Sequence, residues 1–337
     1  MNTGPASRHK HSVGGRFTTI ADAHSHDLAA LEAAIAAGDG ILAGRLDTLE
    51  ARIAALEAAP VTPPPPPPPP EPWPWATLQA AIDATPPGGL LDATGREFSA
   101  GVTISEPLTL RGGTLRVPSG NGIEIASANV TLDGVTIFGN GDTEAMGIWA
   151  LRAPGLVIRN CHVADWRYAG IMILETTGAL VEDTRVAQIG VGVGGATNAY
   201  GIAVSNLGGE QSRDVLVRRC TIDGVPNWHG LDSHGSIGVR FIANTVAHCN
   251  RAIFVTSDSV RRPSESVEVS RNRCDTPTPR ADVLNTRPWN EVGITVVTGS
   301  LGVHGDGNVL DGWPAGNAID VQGSGATFAG TIVTNPS

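Results

Sequence analysis

The chain has 337 residues, a net charge of −10 at neutral pH and only 17% charged residues, against 42 glycines and 24 prolines. That length admits one large domain with appendages, and an acidic balance with no basic stripe excludes nucleic acid and an anionic membrane surface as partners. No apolar run reaches the ~18 residues that would signal a membrane span, and the basic N-terminus is not followed by the apolar stretch of a Sec signal, so export is expected by another route or inside an assembled particle.

Taken in order, residues 1–19 are polar and glycine-rich, with Arg8, His9, Lys10 and His11, and are expected to form a flexible arm that docks on other proteins. Residues 20–60 change to a helical pattern. Leu28, Leu31, Ile35, Leu42, Leu46, Leu49, Ile53 and Leu56 form a seam interrupted near Gly38 and Gly40, the spacing of a short coiled coil with a stutter. Such a helix has no core of its own and must pack on copies of itself or on another protein; we expect an oligomerisation segment. Residues 61–75 hold eight consecutive prolines, from Pro63 to Pro70, a stiff polyproline II spacer of about 25 Å. Residues 76–337 are expected to be one domain. It opens with a short capping helix that turns Leu78, Ala81 and Ile82 inward, because an open solenoid end would expose core and strand edge.

The rest of that domain repeats. A small residue followed by an apolar-x-apolar triplet recurs at Gly122, Gly147, Gly170, Gly201, Gly230, Ala252, Gly293 and Ala318, at spacings of 25, 23, 31, 29, 22, 41 and 25 residues. A period in the twenties with longer excursions describes a solenoid whose insertions sit in loops. Each repeat carries a second alternating stretch, such as Val130 to Ile137, Leu156 to Val163 and Val215 to Ile222. Two turns and three short strands per coil predict an all-β fold, a right-handed parallel β-helix preceded by the helix and the proline linker. On these repeats the region from about residue 90 to 337 resembles the pectin-lyase-like β-helix superfamily. Cys161, Cys220, Cys249 and Cys274 match no metal spacing; Cys161 and Cys220 fall at equivalent positions two coils apart and read as small buried hydrophobes. No pattern points to a metal or another cofactor.

In-register stacking predicts which side chains share a surface column, because alternate residues of a strand face opposite ways. One outward column is Glu124, Trp149, Met172, Ala203, Asp232, Phe254, Thr295 and Asp320. The next contains Leu174, Ser205, His234 and Thr256, and the residues before the strands include Tyr200, His229 and Arg251. Three adjacent coils therefore gather Tyr200, Ser205 and Asn206; then His229, Asp232 and His234; then Arg251, Phe254, Thr256 and Asp258. Residues 187–200, 206–213 and 257–292 are expected to rise as loops beside this patch, the last carrying Trp289 and Arg287. Asp232, His234, His229, Tyr200 and Arg251 are the candidate catalytic residues. Ser205, Asn206, Phe254, Thr256, Asp258 and Trp289 are candidates for binding substrate.

His229-Gly230-Leu231-Asp232-Ser233-His234 is similar to the Tyr-Gly-x-Asp-Pro-His motif of mannuronan C5-epimerases and related alginate lyases. Asp232 and His234 match its acid and histidine. His229 stands at the tyrosine position, and Thr256 at the position of a carboxylate on the following coil, with Asp258 two residues on. The resemblance implies removal of the proton α to a uronate carboxylate: His234 or His229 as base, Asp232 orienting it, Tyr200 as proton donor and Arg251 neutralising the carboxylate. A hydrolase would need two carboxylates instead, here Asp232 and Asp258. Asp232 and His234 could also hydrogen-bond each other and adjacent coils as a polar ladder, or bind sugar, without chemistry.

The order of arm, coiled coil, rod and β-helix resembles bacteriophage tail fibres, tailspikes and minor tail proteins. This implies a virion location, a homotrimer, contacts with tail or baseplate proteins through the arm, and a host surface polysaccharide as ligand. Three functions stay open at this point: a receptor-binding fibre that binds and in addition degrades surface polysaccharide, a bacterial polysaccharide lyase or uronate epimerase, and a non-catalytic tail component.

Overall fold

The computed structural model describes residues 49–52, 73–141, 145–191, 198–258, 260–275, 292–313, 316–322 and 325–334. The arm at 1–19, most of the helical segment and of the proline linker, and Trp289 lie outside these residues. The chain divides into two units, Met1–Pro72 and Trp73–Ser337. In the first, residues 49–52 are helical.

The second unit is a right-handed parallel β-helix. It opens with the helix Leu78–Ala84, capped by the Thr77 side chain, which accepts from the Ala80 N–H; Leu78, Ala81 and Ile82 are buried. Gln79 covers the first open edge. Its amide donates to the Thr103 carbonyl at 2.9 Å and accepts from the Thr103 N–H at 2.8 Å, so one side chain stands in for a missing neighbouring strand.

Each coil contributes three short strands, and every named pairing is parallel. One column forms a ten-stranded sheet from Gly89–Asp92 to Thr327–Ala329. The other two columns merge into one 17-stranded sheet. They merge because two coils do not break between them: Thr221–His234 runs for 14 residues and Thr245–Thr256 for 12. Between the ten-stranded sheet and the next column the chain turns on a single residue with positive φ, for example Asn160, Asp183, Arg219, Ala243 and Arg271.

The inward column is aliphatic. Val102, Ile123, Ile148, Ile171, Ile202, Leu231, Ile253, Ile294 and Ile319 stack residue on residue, and seven of them, from Ile123 to Ile294, are fully buried. Fully burying each such side chain contributes roughly 1.5–3 kcal/mol. The column starts one coil before the first repeat expected from sequence, at Gly101 and Val102. The small residue that opens each repeat has a steric cause. A Cβ on Gly147 would stand 2.2 Å from Val163 Cγ1, and one on Gly170 2.3 Å from Val186 Cγ1.

A second inward column holds two of the four cysteines, Cys161 and Cys220. The residue after the turn is Cys161, Thr184, Cys220, Asn244, Asn272 and Asn308 in successive coils. All four cysteines are free and buried, and burial pushes the Cys161 thiol up to about 11 and those of Cys220 and Cys249 to about 12. Further along, the column becomes an asparagine ladder. Asn272 donates its amide to the Phe241 carbonyl at 2.8 Å and to Asn308 Oδ1 at 3.1 Å, and accepts from the Asn244 N–H at 3.0 Å. One expectation is corrected here: 257–292 is not one loop, because Glu268–Ser270 and Arg273–Asp275 inside it are strands of the coil.

Replacing Asn272 by Ala leaves the Asn244 N–H without its acceptor in the interior and takes a partner from the Asn244 side-chain amide. The orphaned N–H costs about 1–3 kcal/mol, so the urea midpoint of Asn272→Ala is expected to fall clearly below that of wild type, whereas Arg240→Ala on the exposed face should move it little.

Candidate active site

The site forms where the strand runs on. Between Val225 and His229 the ladder to Thr245–Thr256 slips: Val225 pairs with Cys249 and His229 with Arg251. Four residues oppose two, and Pro226, which has no N–H to offer a ladder, lies in the slip. The bulge brings Trp228 and His229 up beside each other. After it the register is that expected from the repeats: Tyr200 beside His229, Ala203 beside Asp232, Asp232 beside Phe254 and His234 beside Thr256.

Asp232 is at the centre and is wholly buried, although its position faces away from the coil interior. Its two carboxylate oxygens are divided between two imidazoles: Oδ2 accepts from His229 Nδ1 and Oδ1 from His234 Nδ1. The expectation that Asp232 stands on open surface is corrected. The imidazoles of His229 and His234 on its own strand enclose it, with Phe254 beside it in its column one coil on.

His229 is sealed in. Its ring is stacked between Trp228, 4.6 Å away between centroids, and Phe254, 4.0 Å away, at interplanar angles of 21° and 23°. Its Nε2 lies 3.4 Å from Arg251 Nη1. A guanidinium only donates, so Nε2 accepts and the single ring proton sits on Nδ1 toward Asp232. Burial lowers its pKa to about 4 against the pull of Asp232, which keeps it neutral. With both nitrogens engaged and no exposure, His229 has no atom to offer as a base; it positions Asp232.

His234 differs. Its side chain is 27% exposed and lines a pocket of about 270 Å³ with Tyr200, Ser205, Asn206 and Asp258. Nδ1 is held by Asp232, which leaves Nε2 for the pocket. Burial works against the imidazolium, but the Asp232 carboxylate outweighs it and Asp258 adds to it, so the pKa is raised. Asp232 is depressed to about 2: burial raises it, and the His234 and His229 charges and hydrogen bonds overcome that. Tyr200 is 8% exposed, and burial, then the Asp232 and Tyr168 charges, push its hydroxyl well above the usual phenol value. It stays protonated at any ordinary pH.

The remaining expected residues separate. Arg251 lies on the far side of His229 from the pocket, over the faces of Phe254 at 5.0 Å and Trp228 at 5.6 Å, and burial lowers its pKa. Phe254 and Thr256 are 9% and 8% exposed and lie one coil on, beside Asp232 and His234 respectively. Asp258 lines the pocket, yet its oxygens are taken: Oδ1 accepts from the Val260 and Arg262 N–H groups, Oδ2 from Arg262 Nε at 2.6 Å and Asn206 Nδ2 at 3.1 Å. Burial raises its pKa, but these bonds outweigh it and hold the group ionised.

Sequence reasoning missed Arg262. It ties Asn206 Oδ1 at 2.6 Å, Asp258 and the Gly209 carbonyl into one clamp across two loops, and its only sequence signal is an Arg-Arg pair beside a proline. It also missed Glu175, which accepts from Leu207 and Gly209 N–H groups at 3.2 and 3.0 Å and pairs with Arg152. The pocket opens toward the preceding coils, over Trp149 and Met172, rather than toward Arg251. Among the described residues no three His, Cys, Asp or Glu side chains are grouped to hold a metal ion, and no helix is long and apolar enough to cross a membrane.

Residues 98–226 match the family described as right handed beta helix region. No curated protein matches the sequence. Among solved structures, the chain is similar to the alginate lyase from Paenibacillus sp. str. FPU-7, at 14% identity and a TM-score of 0.56 over 76% of this chain and 92% of that one. It is also similar to the DFA-IIIase from Arthrobacter chlorophenolicus A6, at 12% identity and 0.53 over 77% and 78%. The enzymatically active domain of tailspike protein 2 from bacteriophage CBA120 matches at 14% and 0.54 over 76% of this chain, which spans 40% of that one. At these identities the likeness is one of fold.

The opposed shifts can be read directly by following the histidine Cε1–H resonances in an NMR titration. In wild type the His234 imidazole should titrate above its ordinary 6.5. In Asp232→Asn burial loses its main opponent, and the value should drop below 6.5. In the linkage sense, His234 stabilises the fold below its unfolded value, and that contribution disappears as pH rises through the raised folded value.

Proposed function

We propose that this β-helix binds a bacterial surface polysaccharide in the groove over the strands Ala169–Leu174, Tyr200–Ser205 and Thr221–His234, and cleaves it by elimination at His234. The observation that carries this is the division of one buried carboxylate between two imidazoles, one sealed and neutral, the other open to a pocket with a protonated tyrosine in its wall. The similarity of fold to an alginate lyase and to a tailspike domain supports it.

In this account neutral His234 Nε2 takes the proton from the carbon α to a uronate carboxylate. The electron pair becomes the C4–C5 double bond and expels the glycosidic oxygen, which takes the Tyr200 hydroxyl proton; solvent carries the proton from His234 back to Tyr200. Asp232 holds the His234 ring and stabilises the imidazolium that forms. Two-carboxylate hydrolysis is disfavoured, because it needs one protonated acid and both Asp232 and Asp258 are held ionised. Epimerisation would use the same base and donor and differs only in the product.

The arm, the helical segment at 20–60 and the proline rod favour a setting for this chemistry: a trimeric virion tail fibre, attached to other tail proteins through the arm, with the β-helix as its sugar-engaging part.

The test is turnover on a panel of bacterial surface polysaccharides and uronate polymers, followed by absorbance of unsaturated ends alongside reducing ends. Absorbance should grow with wild type and kcat/KM should rise with pH through a value above 6.5. His234→Ala and Tyr200→Phe should each lose about 10²–10⁴-fold while keeping the wild-type fold by circular dichroism. Reducing ends without absorbance, or full activity in His234→Ala, would sink the elimination account.

A further inference from the structure

The outward face of a β-helix strand ordinarily meets water, yet here it carries a hydrophobic cluster of its own. Ala169, Met172, Leu174, Tyr200 and Ala203 are buried together outside the coil interior, with Met146, Trp149 and Tyr168 packed against them. This cluster is the floor of the His234 pocket. Leu207, at the rim, is 63% exposed, and the Glu175 and Arg262 contacts hold its loop in place over the floor.

The polar groups of the pocket are few and mostly occupied. The Asn206 amide donates to Asp258 and its oxygen accepts from Arg262 and the Gly208 N–H. Asp258 has no oxygen to spare. Ser205 Oγ has one long contact, 3.5 Å to the Asn206 carbonyl, and with His234 Nε2 and the Tyr200 hydroxyl it is what the pocket offers a ligand hydroxyl. No lysine or arginine is among the residues lining it, and the ionised Asp258 is. A second carboxylate placed here would be desolvated beside a like charge. A hydroxyl-rich ring would leave polar groups unpaired, at a cost of about 1–3 kcal/mol for each. A methyl group would instead lose water against methionine, leucine and indole. The volume, about 270 Å³, sits just under the ~300 Å³ where small-molecule pockets begin, so it suits one ring rather than a chain.

We infer that this pocket is a specificity subsite for a neutral sugar bearing a methyl group, as a 6-deoxyhexose or an N-acetylated hexosamine does, adjacent to the unit that reacts at His234. The inference rests on the groove being a polysaccharide site, and it makes the ligand a heteropolymer in which a methyl-bearing neutral sugar neighbours the reacting unit.

Saturation-transfer NMR on the full chain tests it with methyl glycosides of rhamnose, N-acetylglucosamine, glucose and glucuronic acid. One of the two methyl-bearing glycosides should bind at least about tenfold more tightly than glucose or glucuronic acid, with the strongest saturation on its methyl protons, and which of the two does so identifies the source of the methyl. Met172→Glu, which puts a carboxylate on the floor, should weaken that binding by about tenfold or more. Equal binding of glucose or glucuronate by wild type would overturn the inference without reference to any variant. Selective methyl-sugar binding in a protein that cleaves no polymer would uphold it and overturn the elimination account alone.

Discussion

The stacking of one inward aliphatic column governs where everything else on this molecule goes. Once Ile123, Ile148, Ile171, Ile202, Leu231, Ile253 and Ile294 lie one above the other, each residue on the outer face has a fixed height, about 4.8 Å from its neighbour in the next coil. A one-residue slip would turn that column to solvent and is therefore forbidden wherever the interior is full. Surface chemistry thus needs no dedicated scaffold: three consecutive coils bring Tyr200, His229 and Arg251 into one column and Ala203, Asp232 and Phe254 into the next.

The site uses one local departure from that regularity. The bulge after Val225 adds residues without disturbing the inward register, since Leu231 still meets Ile202 and Ile253. The added length places Trp228 against one face of His229 while Phe254 covers the other. The buried Asp232 carboxylate carries a desolvation cost that two imidazole hydrogen bonds only partly offset, and buried ionic groups of this kind contribute little net stability. Such an arrangement is characteristic of functional sites, where neighbouring groups are pushed to different protonation states. Here burial drives His229 neutral against the pull of Asp232, while the same carboxylate holds His234 toward its protonated form.

Much of this was legible in the residues. Glycine followed by apolar-x-apolar marks each strand because a Cβ at Gly147 or Gly170 would collide with the neighbouring strand's valine, and strict stacking then gives the columns by counting. What counting does not give is cover. Asp232 occupies an outward position and is nonetheless buried, because whether a column meets water depends on the rings beside it, here His229 and His234 on its own strand and Phe254 one coil on. The direction in which the pocket opens was equally hidden, since it follows from loops clamped by Arg262 and Glu175, whose partners are 56 and 32–34 residues distant in sequence. Asp258 looked like a second functional carboxylate from its place after Thr256; only its hydrogen bonds identify it as the anchor of that clamp. The first coil escaped notice because its apolar pair, Val102 and Ile104, is short and follows a polar stretch.

The account stands or falls on where a sugar chain lies relative to His234. The direct measurement is a crystal structure of Tyr200→Phe, which keeps the Asp232–His234 pair, with an oligosaccharide cut from the polymer it binds. The account predicts the carbon α to a uronate carboxylate about 3–3.5 Å from His234 Nε2, the distance of a reactive approach, with the next ring over Met172 and Trp149. An oligosaccharide bound on the ten-stranded sheet, with the His234 pocket vacant, would contradict it.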